Sequence, residues 1–196
     1  MVRMDKERIL GLYGIKDSGR TSSLIEWMLR LWPQAGIDAN AFRTASYLAQ
    51  VGHESGRLKY LEEIASGKAY EGRTDLGNVR KGDGVRYKGR GLIMVTGRYN
   101  YQRCGQWLGI DLESQPQLLS EPEWAVKSSL WYWDEHNLNA YADNDDLRGQ
   151  TKVINGGYNG YEERERLYVN ALTMLGHENS EDTEAQEEAR QGLQND

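Results

Sequence analysis

Apolar positions recur at helical spacing in several stretches of this chain. Thr21-Ser22-Ser23 offers capping hydroxyls ahead of Leu24-Ile25-Glu26-Trp27-Met28-Leu29-Arg30-Leu31-Trp32, so a helix is predicted here, stopped by Pro33. Asp38 or Asn40 is positioned to cap a second helix through Ala41–His53. Phe42, Ala45, Leu48, Ala49 and Gly52 fall on one face of that helix, the face expected to meet the core. Glu54 falls on another face, beside Tyr47, Gln50 and Val51 at i−7, i−4 and i−3. Glu121-Pro122 opens a further helix through Trp124, Ala125, Ser128, Trp131 and Tyr132, and another is predicted from Tyr161 to Leu175. Trp131 and Trp133 cannot share a helix face, so one of them is expected at the surface or in a groove.

Between these helices the pattern changes. Residues 66–91 carry repeated glycines among charged residues, as in Lys81-Gly82-Asp83-Gly84 and Lys88-Gly89-Arg90-Gly91. That is turn chemistry, with room for a short β-hairpin. Leu92-Ile93-Met94-Val95-Thr96 follows as a buried or β-like run. The pattern ends near His177, and 177–196 reads as a polar tail, disordered or frayed. One domain over 1–176 is expected, with no internal repeat.

Charge sharpens this division. The chain of 196 residues has a net charge of −6, and the tail from His177 holds seven acidic residues and one basic residue. Residues 1–176 hold 23 of each sign, a neutral body that argues against a nucleic-acid partner. No apolar run approaches the roughly 20 residues of a membrane span, and the N-terminus lacks a signal-peptide stretch, so no membrane insertion is expected. The lone Cys104 reads as packing rather than as a nucleophile. His53, His136 and His177 are scattered, and Arg57 stands where a His-Glu-x-x-His motif needs its second histidine, so no metal site is expected.

What remains is carboxylate chemistry. Inverting hydrolysis of a glycosidic bond needs a protonated carboxyl on one side and an ionised one, ~6.5–9.5 Å away, to activate water on the other. Glu54 and Glu63 are nine residues apart, with a turn at Ser55-Gly56 between them. Six Trp and twelve Tyr against one Phe add flat rings with polar edges, suited to sugars and to ordinary packing alike.

Ala49-Gln50-Val51-Gly52-His53-Glu54-Ser55-Gly56 resembles the general-acid segment of family 19 glycoside hydrolases, the chitinase group that includes many phage endolysins. The stretch from Tyr87 to Tyr101, the motif Ile154-Asn155-Gly156-Gly157 and the segment Gly160-Tyr161-Glu162-Glu163-Arg164 are similar to that family in order and rough spacing, over about 40–175. Tyr70-Glu71-Gly72-Arg73, Gly77-Asn78 and Gly82-Asp83-Gly84 look more like the endolysin branch than plant chitinases.

The resemblance implies a mainly α-helical α+β fold, lysozyme-like and two-lobed, with a substrate groove and a small β-hairpin or Gly-rich segment. It implies Glu54 as general acid and Glu63 as general base, with Glu71 the runner-up for the base. Thr96 would help hold the water, Tyr99 and Asn100 would contact the sugar, and Asn155 would contact substrate or order its loop. Arg164 would tune the base, and Arg90 would give structural and electrostatic support. Arg90, Arg73 and Arg164 are the cations expected near Glu63, and His53 is expected to be structural. Met94 replaces a common Gln and Arg57 a common Gly.

The function this points to is a muramidase-type endolysin on peptidoglycan glycan strands, without cofactor. It is expected to be a monomer, held in the host cytoplasm until a holin lesion gives access to the wall. Lys81, Arg86, Lys88, Arg90 and Arg98 would meet the anionic wall. A chitinase is the nearest alternative, and a non-catalytic wall-glycan-binding protein the alternative of another class.

Overall fold

The computed structural model describes residues 3–177. The acidic tail expected beyond His177 lies outside the described residues. The order along the chain is α1 (Lys6–Tyr13), α2 (Gly19–Ala35), α3 (Ala41–Glu54), a short α4 (Asp83–Arg86), α5 (Arg98–Leu108), α6 (Pro122–Glu135), α7 (Leu138–Asp143), α8 (Leu147–Asn155) and α9 (Tyr161–Met174), with three 3₁₀ turns between them. The mainly helical, lysozyme-like class therefore stands. The Gly-rich segment forms turns and short helices rather than a hairpin. Its only β pairing among the described residues is two isolated bridges, Glu62 to Arg90 and Arg90 to Val95.

Helix ends follow local chemistry. The Asn40 side chain accepts from Arg43 N and starts α3, as one of the two predicted caps. α2 starts earlier than expected, because Ser18 and Thr21 form a reciprocal capping box. Pro33 does not stop α2. It sits in the last turn, where it costs the one bond its N–H would have given to Leu29 O, and the helix ends two residues later at Ala35, capped by Gly36 with φ +65°. The sequence pattern left α1, α4, α5, α7 and α8 unassigned. α1 buries only Ile9, Leu12 and Tyr13, too short a pattern to stand out.

Two hydrophobic cores result. The larger gathers α1, α2, α3, α7, α8 and α9, with Ala125, Val126, Leu130 and Trp133 of α6. The smaller gathers Tyr87, Ile93, Val95, Tyr101, Cys104, Leu112, Leu119 and Trp131. α6 thus sits between the lobes and feeds both. Neither ring is left at the surface, since Trp131 and Trp133 are each 2% exposed, and of the two Trp133 lines a cavity beside α6. They face opposite ways because each side of the helix has its own core. At ~25 cal/mol per Å2 and roughly 150–250 Å2 of ring, each contributes about 4–6 kcal/mol of gross burial energy. Tyr132 and Ile154 pack against both cores and mark the seam.

Candidate active site

The larger lobe presents Glu54, the last residue of α3, with its side chain 16% exposed. α9 lies against α3, and its first turn delivers Arg164, which is fully buried. One Arg164 amino group donates to Glu54 Oε1 at 2.5 Å and the other to Gln50 Oε1 at 2.5 Å. Gln50 Nε2 in turn donates to Thr151 Oγ1 at 3.1 Å and Leu147 O at 3.5 Å. The carboxylate is thereby linked to α8 through Arg164 and Gln50. Glu54 Oε2 has no hydrogen-bond partner among the described residues.

Sequence reasoning placed Arg164 beside the base, whereas the structure places it on Glu54. It also did not single out Tyr132, whose hydroxyl donates to Val153 O at 3.1 Å. Burial pushes this phenol up to about 12, and the nearby Glu54 charge adds to the shift. Tyr132 therefore lines the seam beside Glu54. Nothing in its spacing distinguishes it from its aromatic neighbours.

His53 pairs with Glu163 rather than orienting Glu54. The His53 Nδ1 to Glu163 Oε2 distance is 2.8 Å, and Arg57 reaches Glu163 Oε1 at 3.1 Å. Burial alone would raise the Glu163 carboxyl, but these two partners outweigh it and hold it below its usual value. Gly160 lets the chain lie directly on the imidazole, since a Cβ there would stand 2.0 Å from His53 Cε1.

The chain then reverses. Ser55 Oγ donates to Val51 O and accepts from Leu58 N. Gly56, Arg57 and Leu58 have φ of +57°, +61° and +65°, three successive left-handed residues. This accounts for the glycine commonly found at the position of Arg57. A side chain there is strained, and here its guanidinium is held by Glu163.

The smaller lobe presents Glu63. Its backbone N–H donates to Gly89 O at 2.9 Å, and Gly89 N donates back to Glu63 Oε2 at 2.7 Å. A Cβ on Gly89 would lie 2.8 Å from Glu63 Oε2 and 3.2 Å from Thr96 Oγ1, so the bare glycine leaves room for both oxygens. Burial and then the adjacent Glu63 charge raise the Tyr70 phenol. No cation pairs with Glu63 among the described residues, which corrects the expectation of an arginine there. Arg73 pairs with Asp75, Arg164 with Glu54, and Arg90 with Glu62. The physical reason is alternation. Adjacent extended residues point to opposite sides, so Glu62 takes Arg90 at 3.1 Å and Lys88 at 2.6 Å while Glu63 faces Gly89 and Thr96. Those two cations hold the Glu62 carboxyl below its usual range against the opposing effect of burial. Arg90 also donates to Arg86 O and Tyr101 Oη, the structural support expected of it.

The remaining named residues fall into place around Glu63 or away from it. Thr96 Oγ1 donates to Met94 O at 2.8 Å, with Met94 at φ +54°. Asn100 Nδ2 donates to Thr96 O at 2.9 Å and so braces this turn. Tyr99 is exposed at the start of α5, under the Arg103 guanidinium. Asn155 ends α8, exposed and without a side-chain hydrogen bond among the described residues. Glu71, the runner-up base, instead accepts from Gly82 N at 2.6 Å and Gly84 N at 2.9 Å. Both its oxygens are occupied in closing the Gly-rich loop.

The basic rim is also corrected. Arg98 is tied to Asp83 at 2.5 Å and Glu113 at 2.7 Å, Arg86 to Glu113 O and Ser114 O, and Lys88 and Arg90 to Glu62. Of the five, Lys81 alone lacks a partner among the described residues.

A family model for family 19 glycoside hydrolases, described as chitinase class I, matches residues 35–156, well over half of the chain. The chain belongs to glycoside hydrolase family 19. A family 19 domain-containing protein of Haemophilus influenzae is 33% identical over 160 residues, 66% of this chain and 78% of that protein. An Arabidopsis thaliana endochitinase is 39% identical over 115 residues, 58% of this chain but only 38% of its own length. In fold, a bacterial family 19 chitinase superposes with a TM-score of 0.72 at 24% identity, covering 89% of this chain and 95% of the other. Chitinase C of Streptomyces griseus gives 0.69 at 24%, covering 88% and 76%. This family 19 protein is thus a glycoside hydrolase. The span matched by the family model contains Glu54, Glu63, Thr96, Tyr99, Asn100 and Asn155, while α9 with Arg164 lies beyond it.

Proposed function

We propose that this hydrolase cleaves the β-1,4 bond between N-acetylmuramic acid and N-acetylglucosamine of bacterial peptidoglycan, by single displacement with inversion. The observation that carries this reading is the contrasting hold on the two carboxylates at the lobe boundary. Glu54 has one oxygen on Arg164 and the other free to give its proton to the leaving oxygen. Glu63 has one oxygen on the Gly89 amide and Thr96 close by, a setting for taking a proton from water. The water oxygen attacks the anomeric carbon from the face opposite the leaving group as that bond breaks. The Arg164 guanidinium receives the Glu54 carboxylate left behind. Tyr99, Asn100 and Asn155 are assigned to the sugar.

The peptidoglycan assignment is supported by the endolysin-like block from Tyr70 to Gly84. Asn78 binds Tyr70 O and Arg98 N, and Glu71 closes the loop, so the block walls the Glu63 side. A wall-lytic role, with the enzyme released from the host cytoplasm through a holin lesion, is the setting this implies. Chitin is the second reading, favoured by the endochitinases among the relatives. Digesting purified peptidoglycan and chitin oligomers side by side tests both. New reducing-end N-acetylmuramic acid, released as the α-anomer, is the expected product. Cleavage of chitin oligomers alone would overturn the peptidoglycan assignment.

A further inference from the structure

α6 has a second face that the reaction does not use. Lys127, Leu130 and Asp134 lie on one side of it, and Tyr132 at the seam lies about 160° round the helix from Leu130. On the face away from the seam, a cavity of about 450 Å3 opens between α6 and the C-terminal ends of α2 and α5. Its floor is apolar and rigid, made by Leu130 and Trp133, which are 6% and 2% exposed. One wall is Trp107, a large ring left 52% exposed.

Polar side chains complete the lining. Gln34 and Asp134 both line it and are exposed, and neither has a side-chain partner among the described residues. An amide and a carboxylate thus stand ready beside an uncovered indole face. Hydroxyl groups donate well to a carboxylate, an acetamido group pairs with an amide, and the C–H face of a pyranose covers an aromatic ring. The size falls within the usual ~300–1,000 Å3 of small-ligand sites. A purely apolar partner would leave Gln34 and Asp134 desolvated.

We propose that this cavity is a second glycan-binding site that holds an N-acetylhexosamine strand away from the catalytic seam, with Trp107 as its platform. In taking its ligand from the same polymer class, the proposal rests on the proposed function. The site would keep the enzyme on an insoluble polymer without touching the reacting bond.

The test uses the full chain in two forms. With Glu54→Gln in the background to prevent turnover, retention on insoluble peptidoglycan and insoluble chitin is measured by sedimentation, with and without Trp107→Ala. Dissociation constants are expected to rise about fivefold to tenfold on Trp107→Ala, equivalent to about 1–1.4 kcal/mol, and to recover with Trp107→Tyr. With Glu54 intact, Trp107→Ala should hydrolyse short soluble fragments at the unmodified rate and insoluble polymer more slowly. Equal retention with and without Trp107 overturns the second site whatever the hydrolysis assay shows. Lost hydrolysis of soluble fragments by Trp107→Ala also overturns it, because the residue would then belong to the catalytic lobe. If retention falls on Trp107→Ala but the unmodified chain hydrolyses neither polymer, the proposed function is overturned and the second site stands.

Discussion

The two carboxylates are held by opposite kinds of structure. Glu54 ends a regular helix and is fixed by a buried arginine from a second helix, with side chains binding side chains. Glu63 sits in an irregular segment and is fixed by the backbone of Gly89, in a lobe assembled from turns, 3₁₀ pieces and internal ion pairs. A charged tether suits a group that must accommodate a change of its own charge. A backbone amide and a nearby hydroxyl suit a group that must stay available to water. The comparison also locates the fragility: breaking the Glu54 side removes a buried charge partner, whereas breaking the Glu63 side loosens a loop.

The largest effect that can break this comparison is on Glu63, the proposed base. Glu63→Gln should lower hydrolysis about 1,000-fold with little change in melting temperature, while Glu71→Gln should keep most activity and lose about 1 kcal/mol of stability as its two loop contacts weaken. Steady-state rates and melts on the two variants check this, and the reverse pattern would make Glu71 the base. Next, Arg164→Met should cost about 3 kcal/mol in denaturant unfolding, because Glu54 and Gln50 both lose a buried donor.

The smaller lobe should show its own acid sensitivity. Asp83 is 2% exposed, and its hydrogen bonds from Arg98 hold its carboxyl below the usual value. A depressed folded-state value means that the contribution is present above the unfolded value of about 4 and is lost as pH falls through the lower, folded one. Thermal melts from neutral to strongly acidic pH should therefore fall below about pH 4, and that limb should flatten in Asp83→Asn, which also loses about 2 kcal/mol at neutral pH. The smallest effect is expected at the turn. Arg57→Gly relieves a left-handed side chain but gives up the Glu163 pair and gains unfolded-chain entropy, so its stability should stay within about 0.5 kcal/mol. A loss above about 1.5 kcal/mol would show that the Glu163 tie outweighs the turn strain.

The same division decided what could be read from sequence. The α3 helix was legible because its core face repeats at helical spacing, and Glu54 stood on the Gln50 side where Arg164 inserts. Glu63 could be assigned only by resemblance. Its support comes from Gly89 and Thr96, and turn geometry across that distance leaves no period in the sequence. The arginine pairings were misjudged because proximity in sequence does not say whether Glu62 or Glu63 faces the cations. The burial of both Trp131 and Trp133 was not legible because a periodic pattern assumes one core per helix, and α6 serves two. α1 escaped notice for the lesser reason that three buried residues make a faint signal.

The central claim, that Glu54 is the proton donor, has one direct test. Glu54→Gln keeps an oxygen for Arg164 to bind, so it should fold with a loss of about 1–2 kcal/mol, and its hydrolysis of soluble glycan fragments should fall at least about 100-fold. A folded Glu54→Gln protein that cleaves those fragments at the unmodified rate would contradict the assignment.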